Sequence, residues 1–381
     1  MTDEPQPSGA AGPPPDAGPP GFDRPVRLAL VLAAILVVQT GTSGGPTIAA
    51  VAAVVVALAL STRWRVAPLA IAVLLLLGIG LRAAVATHTG SDVLDVIAAA
   101  VRTAAAGQSP YGIGYAESRP PGAPYPYGPL ALLWYAPVQA DGWRVELIMA
   151  CVVLTFLALN GRLLGLAIYA TAPTLIVTAS DGSNDTSAGV LLLVAFIGAR
   201  RHPVLGAVLL AAAIAFKPYA AAWAPAFVVW GGWTAIASLG LATAVLWSPV
   251  VLSWGIGSFV TSLDMANRVH RLPYWSLGAL YEQVTHLRAP QQLFDMLRIV
   301  YGTVAAVATL RLARSLDGVI IAGSIIYLVT LFGGYWGTYA YIAAIAPLLC
   351  WRIDDWLGIE SRPLAALVGR SLPAKGSAAP S

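Results

Sequence analysis

The chain has 381 residues, of which 58% are hydrophobic and only 10% are charged, and its formal net charge at pH 7 is +4. Soluble globular proteins carry about 25% charged residues, so this composition excludes an ordinary soluble enzyme and predicts a body surrounded by lipid. The basic residues are dispersed in ones and twos, which argues against nucleic acid as a partner. Cys151 and Cys350 both lie in apolar segments, so neither a disulfide framework nor a cysteine metal site is indicated.

Both ends of the chain lack a long apolar run. Residues 1–25 include eight prolines, several glycines and four acidic residues, a composition typical of a disordered tail. Residues 361–381 are similar in character, so we predict a second tail there. The integral membrane domain is then expected over residues 26–360.

Apolar runs between the tails predict an all-α, polytopic membrane protein of about twelve helices. No charged residue occurs from 28 to 62, which is too long for one span of about 20 residues, and the GTSGGP sequence at 41–46 divides this run into a helical hairpin. The other predicted spans, bounded by charges, glycine and proline, are 66–86, 145–160, 163–178, 186–199, 203–219, 220–235, 236–253, 295–311, 317–333 and 337–351.

Basic residues in the short loops predict the orientation of these helices. When the N-terminus is placed in the cytoplasm, the other short basic loops also fall inside, provided that residues 128–140 do not cross the membrane. That segment is too short for a span, so we predict a juxtamembrane helix there. Both tails are then cytoplasmic, in a plasma membrane. The residues placed inside are Arg63, Arg65, Arg162, Arg200, Arg201, Arg311, Arg314 and Arg352.

This orientation places the polar segments together on the extracytoplasmic side. They are a first loop over 87–144, the turn at 181–185, the end of the helix that carries Lys217, and a second loop over 254–294. Polar residues gathered on one face of a lipid-embedded body predict a functional site on that face.

A carboxylate follows directly after the predicted span that ends at 86. Asp92 precedes an amphipathic stretch over 93–106, a position that suits a general base beside the bilayer. The equal alternative is a helix N-cap, with Ser91 or Asp92 as the cap and Asp95 three residues later, as in a capping box. Asp95 is the alternative base.

Lys217 and the SDGSND turn are further candidates. Lys217 is one of two lysines in the chain, and at a helix end it suits either a lipid-linked phosphate or simple snorkelling to lipid headgroups. The turn supplies Asp181, Asn184 and Asp185. These oxygen ligands suit a divalent cation, although a solvated turn that caps the next helix is the interpretation we favour.

The second outer loop combines basic and aromatic residues in the sequence NRVHRLPYWS. Arg268 and Arg271 suit phosphate oxygens, and His270, Tyr274 and Trp275 suit a sugar. An interfacial aromatic and basic belt explains the same residues equally well. The chain contains no dinucleotide-binding, P-loop, CxxC or GxSxG motif, so nucleotide, thiol-redox and serine-hydrolase functions lack support.

Four segments, taken in order over about residues 80–280, resemble the GT-C membrane glycosyltransferases. The resemblance is greatest to the polyprenyl-phosphate-mannose-dependent, alpha-1,2-type mannosyltransferases of actinobacterial cell envelopes. The segments are SDVLDVIAAAVRTAAAGQSPYG, YPYGPLALLWYAPV, SDGSNDTSAGVLLLVAFIGARRHPVLGAVLLAAAIAFKPY and the looser NRVHRLPYWSLGAL.

The resemblance implies an inverting transfer of a sugar, mannose in the first instance, from a polyprenyl-phosphate donor to a cell-envelope glycolipid or polysaccharide outside the membrane. Asp92, or alternatively Asp95, would accept the proton of the acceptor hydroxyl. Lys217, with Arg268 and Arg271, would bind the donor phosphate, and membrane lipids would surround the helices. Residues expected to contact substrate are Tyr111, Tyr127, His270, Tyr274, Trp275 and Asn184.

No cofactor is required by this chemistry, because the leaving group already carries its charge on phosphate oxygens. A divalent metal held by Asp181 and Asp185 is the weaker alternative. The alternative function is a transporter or flippase of lipid-linked sugars, although the sequence shows no internal repeat of the kind common in transporters.

Overall fold

The computed structural model of the protein describes residues 67–86, 90–269 and 272–359. Over these residues the chain is mostly helical, with fourteen α-helices. Two short strands, β1 (Gly114–Tyr115) and β2 (Ala123–Pro124), pair antiparallel in the loop between the second and third helices. The helices are α1 (Ala67–Val85), α2 (Val93–Ala105), α3 (Pro129–Tyr135), α4 (Gly142–Leu159), α5 (Leu163–Thr171), α6 (Pro173–Val177), α7 (Asp185–Arg201), α8 (Pro203–Phe216), α9 (Ala224–Trp254), α10 (Ile256–Val269), α11 (Leu277–Thr285), α12 (Gln291–Thr309), α13 (Leu316–Phe332) and α14 (Tyr341–Trp356).

Among the described residues, four helical segments are long and apolar enough to cross a membrane. Large apolar side chains remain exposed along them: Leu252 is 84% exposed and Trp233 is 83% exposed. Such surfaces suit contact with lipid rather than water, in agreement with the membrane protein predicted from composition. The four segments are Ala67–Val85, Gly142–Leu159, Pro218–Trp254 and Gln291–Leu312.

The predicted total of about twelve spans is not established by these helices. The predicted hairpin over 28–62 and the two tails, 1–25 and 361–381, lie outside the described residues. Most other predicted spans coincide with a helix to within a few residues. The span predicted at 163–178 differs, because it is divided into α5 and α6.

Arg82, in the last turn of α1, fills the break between α5 and α6. Pro173 begins α6 and cannot donate a backbone hydrogen bond to α5, so carbonyls at the end of α5 need other partners. The buried guanidinium donates to the carbonyls of Tyr169 (2.7 Å), Leu175 (3.3 Å) and Gly78 (3.1 Å). It also lies 4.8 Å from the centroid of the Tyr169 ring. One buried cation therefore joins α1 to both halves of the broken helix.

The predicted spans 220–235 and 236–253 belong to one helical segment, α9, which is interrupted at Gly232. The backbone there has φ +62° and ψ −156°, outside the helical region. Glycine adopts such angles readily, so the interruption falls in the Trp-Gly-Gly-Trp sequence, a few residues before the predicted boundary.

The two limbs of α9 run in opposite directions beside α8. A Cβ on Gly231 would lie 3.7 Å from Pro203, the first residue of α8. The far end of α9 returns to the other end of α8: the Trp254 ring is 6.1 Å from the Tyr111 ring, in the loop between α2 and α3. A backbone amide of that loop donates to the carbonyl of Phe216, the last residue of α8 (3.2 Å). The segment therefore forms a helical hairpin, although by length and composition it is one apolar segment, Pro218–Trp254.

Arginine and aspartate side chains gather at the end of α4 and the end of α14. Arg352 donates to both carboxylate oxygens of Asp317 (2.8 and 2.9 Å) and contacts Asp355, which also pairs with Arg162. Arg200 lies over a tryptophan ring of α14 (5.4 Å). Since α4 begins against α2 and α3 and rises for 18 residues, about 27 Å, this arginine cluster is remote from the loop between those helices.

Gly78 and Gly80, both in α1, provide a matched test of the packing of α1 against α4 and α5. A Cβ on Gly78 would lie 2.9 Å from Ala170 Cβ and 2.9 Å from Leu154 Cδ2, whereas a Cβ on Gly80 meets no described atom within 4 Å. We expect Gly78→Ala to destabilise the fold by about 1–3 kcal/mol and Gly80→Ala to leave it unchanged, measured as melting temperature in detergent. Equal melting temperatures for the two variants would contradict this packing.

Candidate functional site

A cavity of about 810 Å³ lies where the loop between α2 and α3 packs on the helix ends. Its walls come from the start of α2, that loop, the turn before α7, the end of α8, α10, α12 and the connection between α13 and α14. We call it the polar cavity. Residues singled out from the sequence that line it are Asp92, Tyr127, Asp181, Asp185, Lys217 and Tyr274.

Two backbone hydrogen bonds fasten the start of α2 to the turn before α7. The amide of Ser91 donates to the carbonyl of Asp181 (2.5 Å), and the amide of Leu94 donates to the carbonyl of Gly182 (2.9 Å). Gly182 has a φ of +96°, and a Cβ there would lie 2.5 Å from the Ser91 carbonyl oxygen. This position therefore requires glycine, and it brings two segments that are distant in sequence into one wall of the cavity.

Asp92 occupies the N-cap position of α2, but among the described residues its side chain makes no capping hydrogen bond. The carboxylate Oδ2 instead accepts the backbone N–H of Arg119, while Ser91 Oγ accepts the amide of Val93 (3.4 Å). Asp92 lines the polar cavity, whereas Asp95 is exposed on another face of α2. Of the two carboxylates considered as a base, Asp92 is the one that a molecule in the cavity can reach.

Lys217 lies in the wall of the polar cavity and is only 3% exposed. Its Nζ is 2.7 Å from Asp185 Oδ1, and the same oxygen accepts the hydroxyl of Tyr219 (2.5 Å). The ammonium lies 5.3 Å from the Tyr127 ring centroid and 5.0 Å from that of Tyr219, within cation–π range. Lys217 therefore does not snorkel to headgroups; it is enclosed by Asp185, Tyr127 and Tyr219, which we call the lysine cage.

The local sequence explains how the lysine cage forms. Pro218 drives the preceding residue out of the helical region, so α8 ends at Phe216 and Lys217 is extended, with φ −140° and ψ 109°. Asp185 begins α7, where the unpaired amides and the helix dipole favour a carboxylate. The C-terminal end of one helix and the N-terminal end of another thus meet through opposite charges.

Asp181 and Tyr127 add neutral or acidic groups to the same wall. The Asp181 carboxylate accepts the amide of Ser183 (2.8 Å) in an Asx turn, and burial raises the pKa of Asp181. Burial, and then the nearby carboxylate of Asp185, raise the pKa of Tyr127 well above its usual value, so Tyr127 presents a neutral hydroxyl. No group of three His, Cys, Asp or Glu side chains within the described residues is arranged to hold a metal.

A second cation, Arg298 of α12, also lines the polar cavity. Its Nη2 donates to the carbonyl of Trp336 (2.6 Å), and a carboxylate oxygen of Asp295 is 4.0 Å from the same nitrogen. A Cβ on Gly334 would lie 2.2 Å from Arg298 Nε, so the backbone approaches the guanidinium closely. Sequence reasoning missed Arg298 because it falls inside the predicted span 295–311, although an arginine in an apolar run is itself a signal.

Of the described site residues predicted in the second outer loop, Tyr274 lines the cavity, whereas Arg268 and Trp275 are not in its lining. The Arg268 side chain is exposed and pairs with Asp264 one turn earlier, and Arg268 does not contribute to the described lining of the cavity. Trp275 lines a smaller adjoining pocket of about 380 Å³. His270 and Arg271, for which the sequence also predicts a role in binding, lie outside the described residues.

Tyr111 and Asn184 are buried beside the cavity rather than in its described lining. The Tyr111 ring packs against the rings of Tyr125 (5.4 Å), Phe259 (5.5 Å) and Trp254 (6.1 Å), because apolar residues of α9 and α10 close over it. Asn184 is fully buried at the N-cap of α7, and its side-chain amide makes no hydrogen bond within the described residues.

Glu146 is a buried carboxylate that sequence reasoning missed. It is fully buried in α4, where it accepts the amide of Ser187 (2.9 Å) and the hydroxyls of Ser187 and Tyr135. The available signal was a single glutamate in the apolar run predicted at 145–160. These contacts place the Glu146 carboxylate against the N-terminal turn of α7, the turn that also carries Asp185 of the lysine cage.

No family model, no curated protein and no solved structure matches the chain. The chemistry of the polar cavity is therefore the basis for a function. Its described lining combines four carboxylates, Asp92 among them, with three cations, Arg119, Lys217 and Arg298, and with the exposed aromatic ring of Tyr274. Such a set can accept a proton at one point and stabilise phosphate charge at another.

Gly182 and Gly122 provide a matched test of the Asp92 wall. Both have positive φ, +96° and +100°, but a Cβ on Gly122 meets no described atom within 4 Å. Alanine costs about 1–2 kcal/mol at either site through its backbone conformation, and at Gly182 it also displaces Ser91. We expect Gly182→Ala to accelerate hydrogen exchange over residues 91–96 and Gly122→Ala to leave that exchange unchanged. Equal rates of hydrogen exchange over residues 91–96 in both variants would contradict the proposed attachment of the start of α2 to the turn before α7.

Proposed function

We propose that the protein is an integral membrane glycosyltransferase of the GT-C type. It transfers a sugar, mannose in the first instance, from a polyprenyl-phosphate donor to a cell-envelope glycolipid or polysaccharide acceptor on the extracytoplasmic side. The observation that carries this proposal is the polar cavity, which is lined by the carboxylate of Asp92 together with the cations of Lys217 and Arg298. The resemblance of the sequence to this family supports the same chemistry.

In the proposed reaction Asp92 is the general base. The acceptor hydroxyl oxygen forms a bond to the anomeric carbon of the donor while its proton passes to the Asp92 carboxylate. The bond between the anomeric carbon and the phosphate oxygen breaks, and polyprenyl phosphate leaves with the electron pair. The backbone N–H of Arg119 holds the Asp92 carboxylate, so one of its oxygens has a fixed position from which to accept the proton.

The donor phosphate is proposed to bind between Lys217 and Arg298. A buried ammonium retains donors beyond the one used for Asp185, and the Arg298 guanidinium is partly accessible, with 23% of its side chain exposed. We propose Arg298 for this role beside Lys217, since Arg268 is exposed and paired with Asp264; Arg271 lies outside the described residues. Phosphate charge balanced by these side chains needs no metal, and we expect transfer to continue in the presence of EDTA.

The arginines support the proposed orientation of the protein in the plasma membrane. Arg162, Arg200 and Arg352 lie at the helix ends remote from the polar cavity. Since basic residues are concentrated on the cytoplasmic side of membrane proteins, this separation supports an extracytoplasmic cavity with both termini in the cytoplasm. A cavity at the helix ends also suits a transferase better than a transporter, whose sites are typically near the bilayer midplane.

Asp92→Asn and Asp95→Asn form the first test, because both carboxylates belong to the start of α2. We expect Asp92→Asn to lower the rate of transfer from polyprenyl-phosphate mannose by about 10²–10⁴, and Asp95→Asn to remain close to wild type because its side chain is exposed. Full activity of Asp92→Asn would exclude it as the base. Movement of the lipid-linked sugar across proteoliposomes without transfer would support the transporter alternative.

Arg298→Gln and Arg268→Gln form the second test. Arg298→Gln removes a cavity cation, so we expect it to raise KM for the donor about tenfold. Arg268→Gln removes an exposed arginine paired with Asp264 and is expected to leave KM unchanged. KM is measured from initial rates at several donor concentrations. A larger rise in KM for Arg268→Gln than for Arg298→Gln would indicate that the phosphate binds at the second outer loop.

A further inference from the structure

Glu146 makes three hydrogen bonds to groups outside its own helix, although it is fully buried in a long apolar helix. Its Oε2 accepts the amide of Ser187 (2.9 Å), and its Oε1 accepts the hydroxyls of Ser187 and Tyr135. Burying a carboxylate is costly unless its oxygens are satisfied. An ionisable group in such a segment points to a role beyond packing, and its partners indicate which role.

The first partner fixes the acidic side of the lysine cage. Ser187 is the third residue of α7, and its amide is one of the first four, which have no partner within the helix. Glu146 therefore caps α7 from a neighbouring helix, a favourable arrangement for a negative charge at a helix N-terminus. Asp185 belongs to the same turn, so the cap fixes the carboxylate that holds Lys217.

The second partner fixes the aromatic side of the lysine cage. Tyr135 is the last residue of α3, and Gly128 precedes that helix. The Gly128 amide donates to the carbonyl of Phe216 (3.2 Å), and a Cβ on Gly128 would lie 2.0 Å from the Ala215 carbonyl oxygen. The loop is thus pressed against the end of α8, and Tyr127 lies over the ammonium that follows.

Charge links the same groups. Glu146 interacts electrostatically with both Asp185 and Lys217, attracting the ammonium and repelling the carboxylate. Both carboxylates therefore stabilise the ammonium, and of the two only Asp185 contacts it directly.

We infer that Glu146 is a positioning residue for phosphate binding, because it holds Asp185 through Ser187 and Tyr127 through Tyr135, and so fixes the lysine cage from both sides. The inference rests on the proposed function, in which Lys217 binds a lipid-linked phosphate. It adds a carboxylate that does not touch the substrate but determines where the phosphate-binding ammonium lies.

Binding of a polyprenyl monophosphate in detergent, with the corresponding polyprenol as the probe lacking phosphate, tests the inference. We expect Glu146→Leu to weaken phosphate binding about tenfold, whereas Glu146→Gln, which can accept the Ser187 amide and donate to a hydroxyl, stays within about threefold of wild type. Glu117→Gln, an exposed glutamate paired with Arg102, is the matched control and should not change binding. An equal loss of polyprenol binding, or no loss of phosphate binding in Glu146→Leu, would overturn the inference.

A combined background tests whether Glu146 acts through the lysine cage. Replacing both members of the ion pair, Lys217→Gln with Asp185→Asn, leaves neither partner of that pair as an isolated buried charge. If Glu146 acts through this pair, adding Glu146→Leu to that background causes no further loss of phosphate binding. A further tenfold loss would show an independent role. If Glu146→Leu does not fold, Tyr135→Phe and Ser187→Ala each remove one hydrogen bond, with an expected loss of about threefold.

Hydrogen exchange separates failure of this inference from failure of the proposed function. We expect Glu146→Leu, but not Glu146→Gln, to accelerate exchange of the Ser187 and Gly128 amides. If exchange responds in this way but the wild-type protein binds no polyprenyl monophosphate, the proposed phosphate site is wrong and so is the role of Glu146 in it. If exchange is unchanged in Glu146→Leu, the positioning itself is wrong, whatever the protein binds.

Discussion

The ion pair between Lys217 and Asp185 is the interaction on which the polar cavity depends. Either charge alone in this buried position would be costly, and removal of one partner of such a pair costs about 3–5 kcal/mol. The end of α8 and the start of α7 must therefore remain in contact. Two tyrosines complete this contact: the Tyr219 hydroxyl donates to the carboxylate oxygen of Asp185 that Lys217 also contacts, and the Tyr127 ring covers the ammonium.

The loop between α2 and α3 is held to this ion pair at two points. One is at the start of α2, which precedes the loop: the backbone hydrogen bonds of Ser91 and Leu94 join it to the turn before α7. The other is the close contact of Gly128 with the end of α8. Asp92 lies beside the first point and Tyr127 beside the second, so the cavity carboxylate and the lysine cage belong to one connected unit although they come from distant parts of the sequence.

Much of this arrangement could be predicted from the scarcity of charge. In a chain with 10% charged residues, a charge at the end of an apolar run requires a functional or structural explanation. Asp92 and Lys217 are two such charges. Pro218 and the glycine pair at 231–232 are local signals, and they mark the end of α8 and the turn within α9.

The partners of these residues could not be predicted in the same way. Asp185 was assigned to a solvated turn, although it pairs with Lys217, because nothing local distinguishes a buried carboxylate from an exposed one. Arg298 and Glu146 were included in predicted spans, and their value lies in contacts made across helices. Arg268, predicted to bind phosphate, is exposed and paired with Asp264, since a basic and aromatic sequence does not reveal which side chains face a cavity.

The length of α8 has a consequence for depth in the membrane. With 14 residues it rises about 21 Å, whereas the hydrocarbon core of a bilayer is about 30 Å thick. Only His202 separates its first residue from Arg200 and Arg201, and in the proposed orientation these arginines place that end at the cytoplasmic interface. The other end, with Lys217, then falls about 9 Å short of the opposite interface. In the proposed orientation the cavity wall is thereby recessed toward the acyl chains, so the phosphate of the proposed lipid donor would reach the ammonium without its lipid leaving the leaflet.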